Sequence, residues 1–401
     1  MSRLTTQEVA RRLGVKPETV YAYVSRGLLD SARGPGGRSS TFDPKQVDAL
    51  AARRRRPGPQ AIGTGITLID DSRYFYRGVD AAELARTYPY EAVAEWLWTG
   101  VLEPDVRFTA PEDSVRTAKV AIGALPPHSA LMDRVRVAVV AAAVADPLRF
   151  ELTGSVVTAT ARSMIAMLVE SLPLVGRDAP ARASLAQRLW PRLTAVAPTE
   201  QMIRCLDAAL VLLIDHDLAA STLAARVAAS ARAHPYAVVS AGLGALEGPL
   251  HGAASGHAHR MLAECLDHGA AAPVVADHLR AGRRIPGLGH RVYPGADPRA
   301  TLLFGMLEQV AGAQPALDMA DEVVTTAGRV RPLHANVDLA LAVLSVAAAM
   351  PADAGEVIFA VGRTAGWVAH ALEEYSERPL RMRPSGEYTG PMPPQPLPEP
   401  S

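Results

Sequence analysis

An all-α body preceded by a small basic module is the architecture this 401-residue sequence predicts, on three observations. From Pro59 to about Met382 apolar residues recur mainly at helical spacing, with proline or glycine at most segment boundaries and no convincing set of alternating strands. The first 58 residues hold 12 Lys and Arg against 5 Asp and Glu, so a +7 module precedes a −7 remainder although the whole chain is neutral. Hydrophobic residues make up 49% and charged residues 20%, a globular composition that excludes wholesale disorder. Cys205 and Cys265 are too few for a disulfide framework and lack metal-ligand spacing, so they predict buried thiols in a reducing compartment. Met1 to Ala10 shows no leader pattern, and the longest apolar runs, such as Leu339 to Met350, are too short to cross a bilayer. A cytoplasmic protein with no membrane partner is expected.

In the first module, residues 1–58, Thr5-Thr6-Gln7-Glu8 reads as a capping box that starts a helix carrying Val9 and Leu13 inward and stopping at Gly14. Pro17 opens a second helix whose apolar stripe is Val20, Val24 and the following Leu28, with Thr19, Tyr23 and Arg26 expected on the opposite side. A glycine hairpin, Gly34-Pro35-Gly36-Gly37 with Arg38, then Phe42 and a third helix capped at Asp43-Pro44, complete the set. The module resembles the winged helix-turn-helix of the excisionase and MerR group over about 50 residues. Its basic charge is the footprint of a polyanion partner, which makes DNA a candidate. Thr19, Tyr23, Arg26 and Arg38 are candidates for phosphates and base edges, and Arg53 to Arg56 for the backbone. A subunit contact or a regulatory role would use the same fold, since fold does not fix function.

In the body, four segments place ionisable groups beside small or turn-forming residues, where a ligand can approach the backbone closely. They are Ile214 to Thr222 around Asp215-His216-Asp217, Gly248 to Ser255 around His251, Pro286 to Arg299 around His290, and Asn336-Val337-Asp338. Two further segments supply Arg363 and Arg383. The set offers a carboxylate base, three imidazoles and three guanidiniums. Removing a proton next to a carbonyl needs a base at the carbon and a donor at the oxygen, and arginine forks suit a carboxylate-rich co-substrate. Carbon-carbon bond formation fits that inventory. His251, His257 and His259 do not make a metal site, because an i, i+2 pair does not share a helix face and no carboxylate completes the set.

From about Pro59 to Gly390, the order of these motifs, from His251 to His290 to Asp338 and from Arg363 to Arg383, resembles that of a citrate synthase. The whole chain is similar to bacterial citrate synthase-like proteins that carry an N-terminal DNA-binding-type domain. The resemblance implies the citrate synthase-type two-domain helical fold: a large domain over 59–252, a small domain over 253–349, the rest of the large domain over 350–390, and a proline-rich tail over 391–401. It implies that acetyl-CoA condenses with oxaloacetate and that citryl-CoA is then hydrolysed. Asp338 would remove the methyl proton, His251 would hydrogen-bond the thioester oxygen, and His290 would polarise the ketone and protonate the alkoxide. His216, Arg299 and Arg363 match the oxaloacetate ligands. Arg383 matches the arginine that reaches the neighbouring subunit's site, so a homodimer is implied. Arg284, Ile285, Pro286, Gly287, Leu288, Gly289 and His290 match the loop that recognises the adenine of CoA. No metal and no cofactor are implied beyond the coenzyme A thioester as substrate.

Two positions depart from that pattern. Family members commonly have Asn where this chain has Ala219, which removes a donor worth about 0.5–1.5 kcal/mol. Many have Lys or Arg where it has Pro294, a place that the nearby Arg291 would fill beside the CoA phosphates. The alternatives are a 2-methylcitrate synthase using propionyl-CoA, since one methylene in an acyl pocket is worth only about 1–3 kcal/mol, and a metabolite-sensing DNA-binding regulator built on the same body.

Overall fold

The computed structural model describes residues 3–13, 15–25, 29–33, 40–47, 62–70, 72–180, 182–249, 251–385, 388–390 and 397. The chain divides into two compact units, Met1–Gly63 and Thr64–Ser401.

In the first unit Thr5 and Glu8 form the capping box: the Glu8 amide donates to Thr5 Oγ1 at 3.3 Å and the Thr5 amide to Glu8 Oε2 at 2.7 Å. They launch helix Thr6–Leu13, and Pro17 opens helix Pro17–Ser25. Strands Leu4–Thr5, Ser40–Phe42 and Ser31–Arg33 pair antiparallel in that spatial order, the last two flanking the expected hairpin. Val9, Leu13, Val20, Leu29, Phe42 and Val47 form the core. Tyr23 corrects the expectation: it packs against this core instead of facing away, because it lies three residues after Val20 and so shares its side of the helix. Thr19 is half-buried. Gly14, Leu28, Arg26, Arg38 and the run Arg53 to Arg56 lie outside the described residues.

The second unit is mainly helical, but it opens with a small antiparallel sheet absent from the sequence reading: Thr67–Asp70, Arg73–Tyr76 and Val79–Asp80. Arg77 and Gly78, at φ 46° and 82°, make the two-residue turn that right-handed strand twist favours. These strands hold two to four residues, too few for a periodicity to register, and their buried face belongs to distant partners. Tyr74 donates to the Leu212 carbonyl at 3.1 Å and Tyr76 to that of Val211 at 3.0 Å. The sheet thus satisfies carbonyls left over at the end of helix Glu200–Leu213.

Helix Ala354–Ser376 is the axis of the unit, buried along most of its length. It packs against helices Gly154–Ser171, Glu200–Leu213, Ala220–Ser230 and Pro235–Leu246. Glycine permits the closest approach: a Cβ on Gly366 would lie 1.9 Å from the Ile214 carbonyl oxygen, and one on Gly362 would lie 2.9 Å from that of Leu210. The loop after Leu213 therefore rests directly on the axial helix. Helices Ala254–His268, Pro298–Leu307 and Val337–Ala347 carry the remaining site segments. Among the described residues no helix is long and apolar enough to cross a membrane.

Candidate active site

Four helix beginnings, those at Ala220, Ala254, Pro298 and Val337, and one helix interior carry the predicted residues. The loop after helix Glu200–Leu213 presents His216, and it turns at Asp217, whose φ is 56°. Asp215 anchors that loop from beneath: Thr67 Oγ1 donates to its Oδ2 at 2.6 Å, and His370 Nε2 lies 3.2 Å from its Oδ1.

Asp297 organises the beginning at Pro298. It caps helix Pro298–Leu307 through the Arg299 amide at 3.0 Å, and its carboxylate takes the Arg299 guanidinium at 2.8 and 3.0 Å. It also accepts from the Val337 amide at 3.1 Å, at the start of the next site helix. Burial pushes this carboxyl up, yet the Arg299 charge and hydrogen bonds hold it below the ordinary range. Asn336 caps Val337–Ala347 through the Asp338 amide at 3.0 Å, and its Nδ2 donates to the Gly289 carbonyl at 2.9 Å. A short antiparallel bridge, Leu288 to Ala335, locks the Gly287–Gly289 turn against this cap. Gly287 has φ 77°, and a Cβ there would meet Leu339 at 2.8 Å, so only glycine fits.

His216, His290 and Arg299 consequently form one cluster. The two imidazole rings are 5.1 Å apart at 88°, and Arg299 Nη2 is 3.3 Å from His290 Nε2. Tyr293 completes it, with its hydroxyl 2.8 Å from His216 Nε2. Burial and the Arg299 charge push His290 down to about 4, so it is neutral at physiological pH. His216 is pushed well down by burial and by Arg299 and Arg363.

His251 forms the second cluster. Its Nε2 is 2.7 Å from Ser221 Oγ, and its ring meets Phe359 edge to face at 5.6 Å. Burial and the Arg363 charge push it down to about 4. Arg363 lies over Phe359 with Cζ 4.6 Å from the ring, donates from Nε to the Leu213 carbonyl at 2.7 Å, and keeps Nη1 buried without a partner among the described residues. Its charge acts on both His251 and His216, so Arg363 joins the two clusters electrostatically.

Asp338 lies in the first turn of helix Val337–Ala347, within reach of the Arg299 charge, with Oδ1 buried and unpartnered among the described residues. Burial raises its pKa to about 7, opposed by Arg299 and reinforced by Asp297 and Glu356. Such a carboxylate is a proton acceptor poised near neutrality, the state a general base requires. Around the turn Ile285 and Gly287 are buried, Pro286, Leu288 and Gly289 half-buried, and Arg284 and Arg291 exposed, as is Pro294. Arg383 is exposed on the C-terminal segment and has no hydrogen bond or ion pair to either cluster among the described residues. Tyr293, Asp297, Asn336, Ser221, Phe359 and the Asp215–His370 pair had no assigned role in the sequence reading. The capping positions of Asp297 before Pro298 and of Asn336 before Val337 were the signals that could have found two of them.

The citrate synthase C-terminal domain model matches residues 58–385, and a helix-turn-helix domain model matches residues 3–55. A citrate synthase of Haloferax volcanii is 38% identical over 203 residues, 49% of this chain and 53% of the relative. Citrate synthase 2 of Bacillus subtilis is 35% identical over 213 residues, 52% and 56% of the two. The chain spans about half the length of the curated relatives it matches. Among solved structures, a citrate synthase from Thermotoga maritima superposes with a TM-score of 0.68 at 27% identity, covering 85% of this chain and 96% of that one. The enzyme from Thermoplasma acidophilum, solved as a ternary complex with carboxymethyl coenzyme A and oxaloacetate, shares the fold with a TM-score of 0.73 at 24% identity and the same coverage of each chain. With a family model matched along most of its length, the chain belongs to the citrate synthase family.

Proposed function

We propose that this protein condenses acetyl-CoA with oxaloacetate and hydrolyses the resulting citryl-CoA to citrate and CoA. The observation that carries this reading is the half-buried Asp338 carboxylate, raised to about 7, whose Oδ1 is buried without a partner among the described residues, in a unit that also holds two neutral imidazoles and two buried guanidiniums. Asp338 removes a proton from the acetyl methyl group while His251 donates a hydrogen bond to the thioester oxygen, where the enolate charge develops. The carbon so freed attacks the ketone of oxaloacetate, and His290 delivers a proton to the alkoxide. His216, Arg299 and Arg363 hold the oxaloacetate carboxylates and ketone. Water then cleaves the thioester and CoA leaves as the thiol. CoA lies along Arg284 to Arg291, and closure of residues 253–349 over the rest excludes bulk water.

The same reading makes the protein a homodimer, with Arg383 of each chain completing its neighbour's carboxylate clamp. Exposed Val140 and Val144 on Leu131–Ala145, with Leu223 and Val227 on Ala220–Ser230, supply apolar surface for such a contact. Two buried free cysteines suit a reducing cytoplasm. The +7 module, with its match to a helix-turn-helix model, supports duplex DNA as a further partner of residues 1–58.

The test is release of CoA thiol by the full-length protein with oxaloacetate, acetyl-CoA and propionyl-CoA being run side by side. Turnover with acetyl-CoA that vanishes in Asp338→Ala is expected. A higher kcat/KM with propionyl-CoA would make it a 2-methylcitrate synthase, and silence with both would overturn the synthase. Salt-sensitive duplex binding lost in Arg26→Ala with Arg38→Ala tests the DNA reading, and no binding at low salt would sink it.

A further inference from the structure

Tyr293 touches both His216 and His290, and none of the proposed substrate contacts uses its side chain. It is 2% exposed, its hydroxyl is 2.8 Å from His216 Nε2, and its ring is 5.0 Å from that of His290 with a tilt of 32°. Both partners of the 2.8 Å contact are neutral. Burial pushes the phenol well up, beyond any working pH, and burial together with Arg299 and Arg363 pushes the imidazole well down. A neutral imidazole carries one ring proton, and the hydrogen bond at one nitrogen decides which nitrogen carries it. The phenol is a stronger acid than a neutral imidazole N–H, and the bare ring nitrogen is a stronger base than a phenol oxygen. The hydroxyl therefore donates and Nε2 accepts. The ring proton is left on Nδ1, which has no hydrogen-bond partner among the described residues.

We infer that Tyr293 is a positioning residue that fixes His216 as its Nδ1–H tautomer, so that His216 meets an anionic 2-oxo acid as a hydrogen-bond donor and not as a lone pair. The inference rests on the oxaloacetate-binding reading of His216. In the other tautomer the imidazole would turn a lone pair toward carboxylate or carbonyl oxygen, replacing attraction by repulsion inside a buried pocket. The same ring packs against that of His290. Losing the hydroxyl leaves that contact in place and removes only the tautomer control.

Two measurements on the full-length protein decide this. In ¹⁵N-histidine-labelled protein at neutral pH, with His216 assigned by its disappearance in His216→Gln, NMR should place the His216 ring proton on Nδ1. In Tyr293→Phe that proton should move to Nε2. Tyr293→Phe should also raise the KM for oxaloacetate roughly tenfold, as for loss of one well-placed donor, while kcat stays within about threefold. A wild-type proton on Nε2 overturns the inference even if the variant fails to fold. So does a variant with unchanged tautomer and KM, or one that loses kcat at constant KM. If wild type releases no CoA from either thioester, the synthase reading fails by itself; oxaloacetate affinity by calorimetry then replaces KM, and the tautomer still supports or overturns the inference.

Discussion

Two groups of buried charge lie along the same helix, Ala354–Ser376, and they are finished differently. Toward its C-terminal end Arg226, fully buried, is met by Glu374 at 2.6 Å, Glu373 at 2.7 Å and His370 at 2.7 Å, while Arg381 closes on Glu374 at 2.6 and 2.8 Å. Nearer the middle Arg363 is as buried, yet its Nη1 lacks a partner among the described residues, as does Oδ1 of Asp338 at the start of its neighbour helix. Buried charges are expensive unless paired. The guanidiniums and carboxylates of the first group satisfy that rule and hold the fold. The second breaks it, and the groups left unsatisfied are those the proposed reaction would use on a substrate.

The largest effect that would break this comparison is at Asp338. Asp338→Asn should lower turnover by roughly two to four orders of magnitude, as expected for loss of a positioned base. In wild type kcat/KM should rise with pH and level off above about 7, the value to which burial lifts this carboxyl. Stability should move the other way. The folded carboxyl keeps its proton up to about 7, while an unfolded one gives it up near 3.8, so deprotonation destabilises the fold as pH rises between them. Asp338→Asn should therefore unfold at higher denaturant concentration than wild type above pH 7, by a few kcal/mol at most, with the gain fading toward pH 4.

Next in size is the paired group. Arg226→Met leaves Glu374 and Glu373 facing a buried gap and should cost about 3–5 kcal/mol in urea unfolding. Arg363→Met sharpens the contrast, because it should raise the KM for oxaloacetate about 10- to 100-fold while changing unfolding free energy by about 1 kcal/mol or less. A stability loss there as large as that of Arg226→Met would erase the distinction. The smallest effect is at Ala219, which sits at the N-cap of Ala220–Ser230 with no side-chain cap. Ala219→Asn should add about 1 kcal/mol to stability and lower the oxaloacetate KM severalfold.

The helices were legible because their apolar spacing, prolines and capping residues are local properties, as at Thr5 to Glu8 and at Pro17. The sheet of residues 67–80 was not, since the bonds that justify Tyr74 and Tyr76 run to carbonyls more than 130 residues away. Tyr23 was misplaced because its aromatic ring with a polar tip was read as outward when its spacing from Val20 puts it inward. At the site, motif order named His216, His251, His290, Arg299, Asp338 and Arg363, and the structure draws these into neighbouring clusters. What motif order left out are their supports, Asp297, Asn336, Ser221 and Tyr293, whose contacts exist only once distant segments are folded together.

Asp297 shows what such a support implies for change over time. One carboxylate caps its own helix, grips Arg299 and receives the first amide of the Asp338 helix. A mutation that reshapes the His290–Arg299 side of the site through this residue would also unpin two helices, so that side has little room to drift. The His251 side chain, among the described residues, has one hydrogen-bond partner, the Ser221 hydroxyl, and the edge of Phe359. Divergence has its open road there, on the side the proposed reaction gives to the thioester, with the Asp297-braced side carried along unchanged.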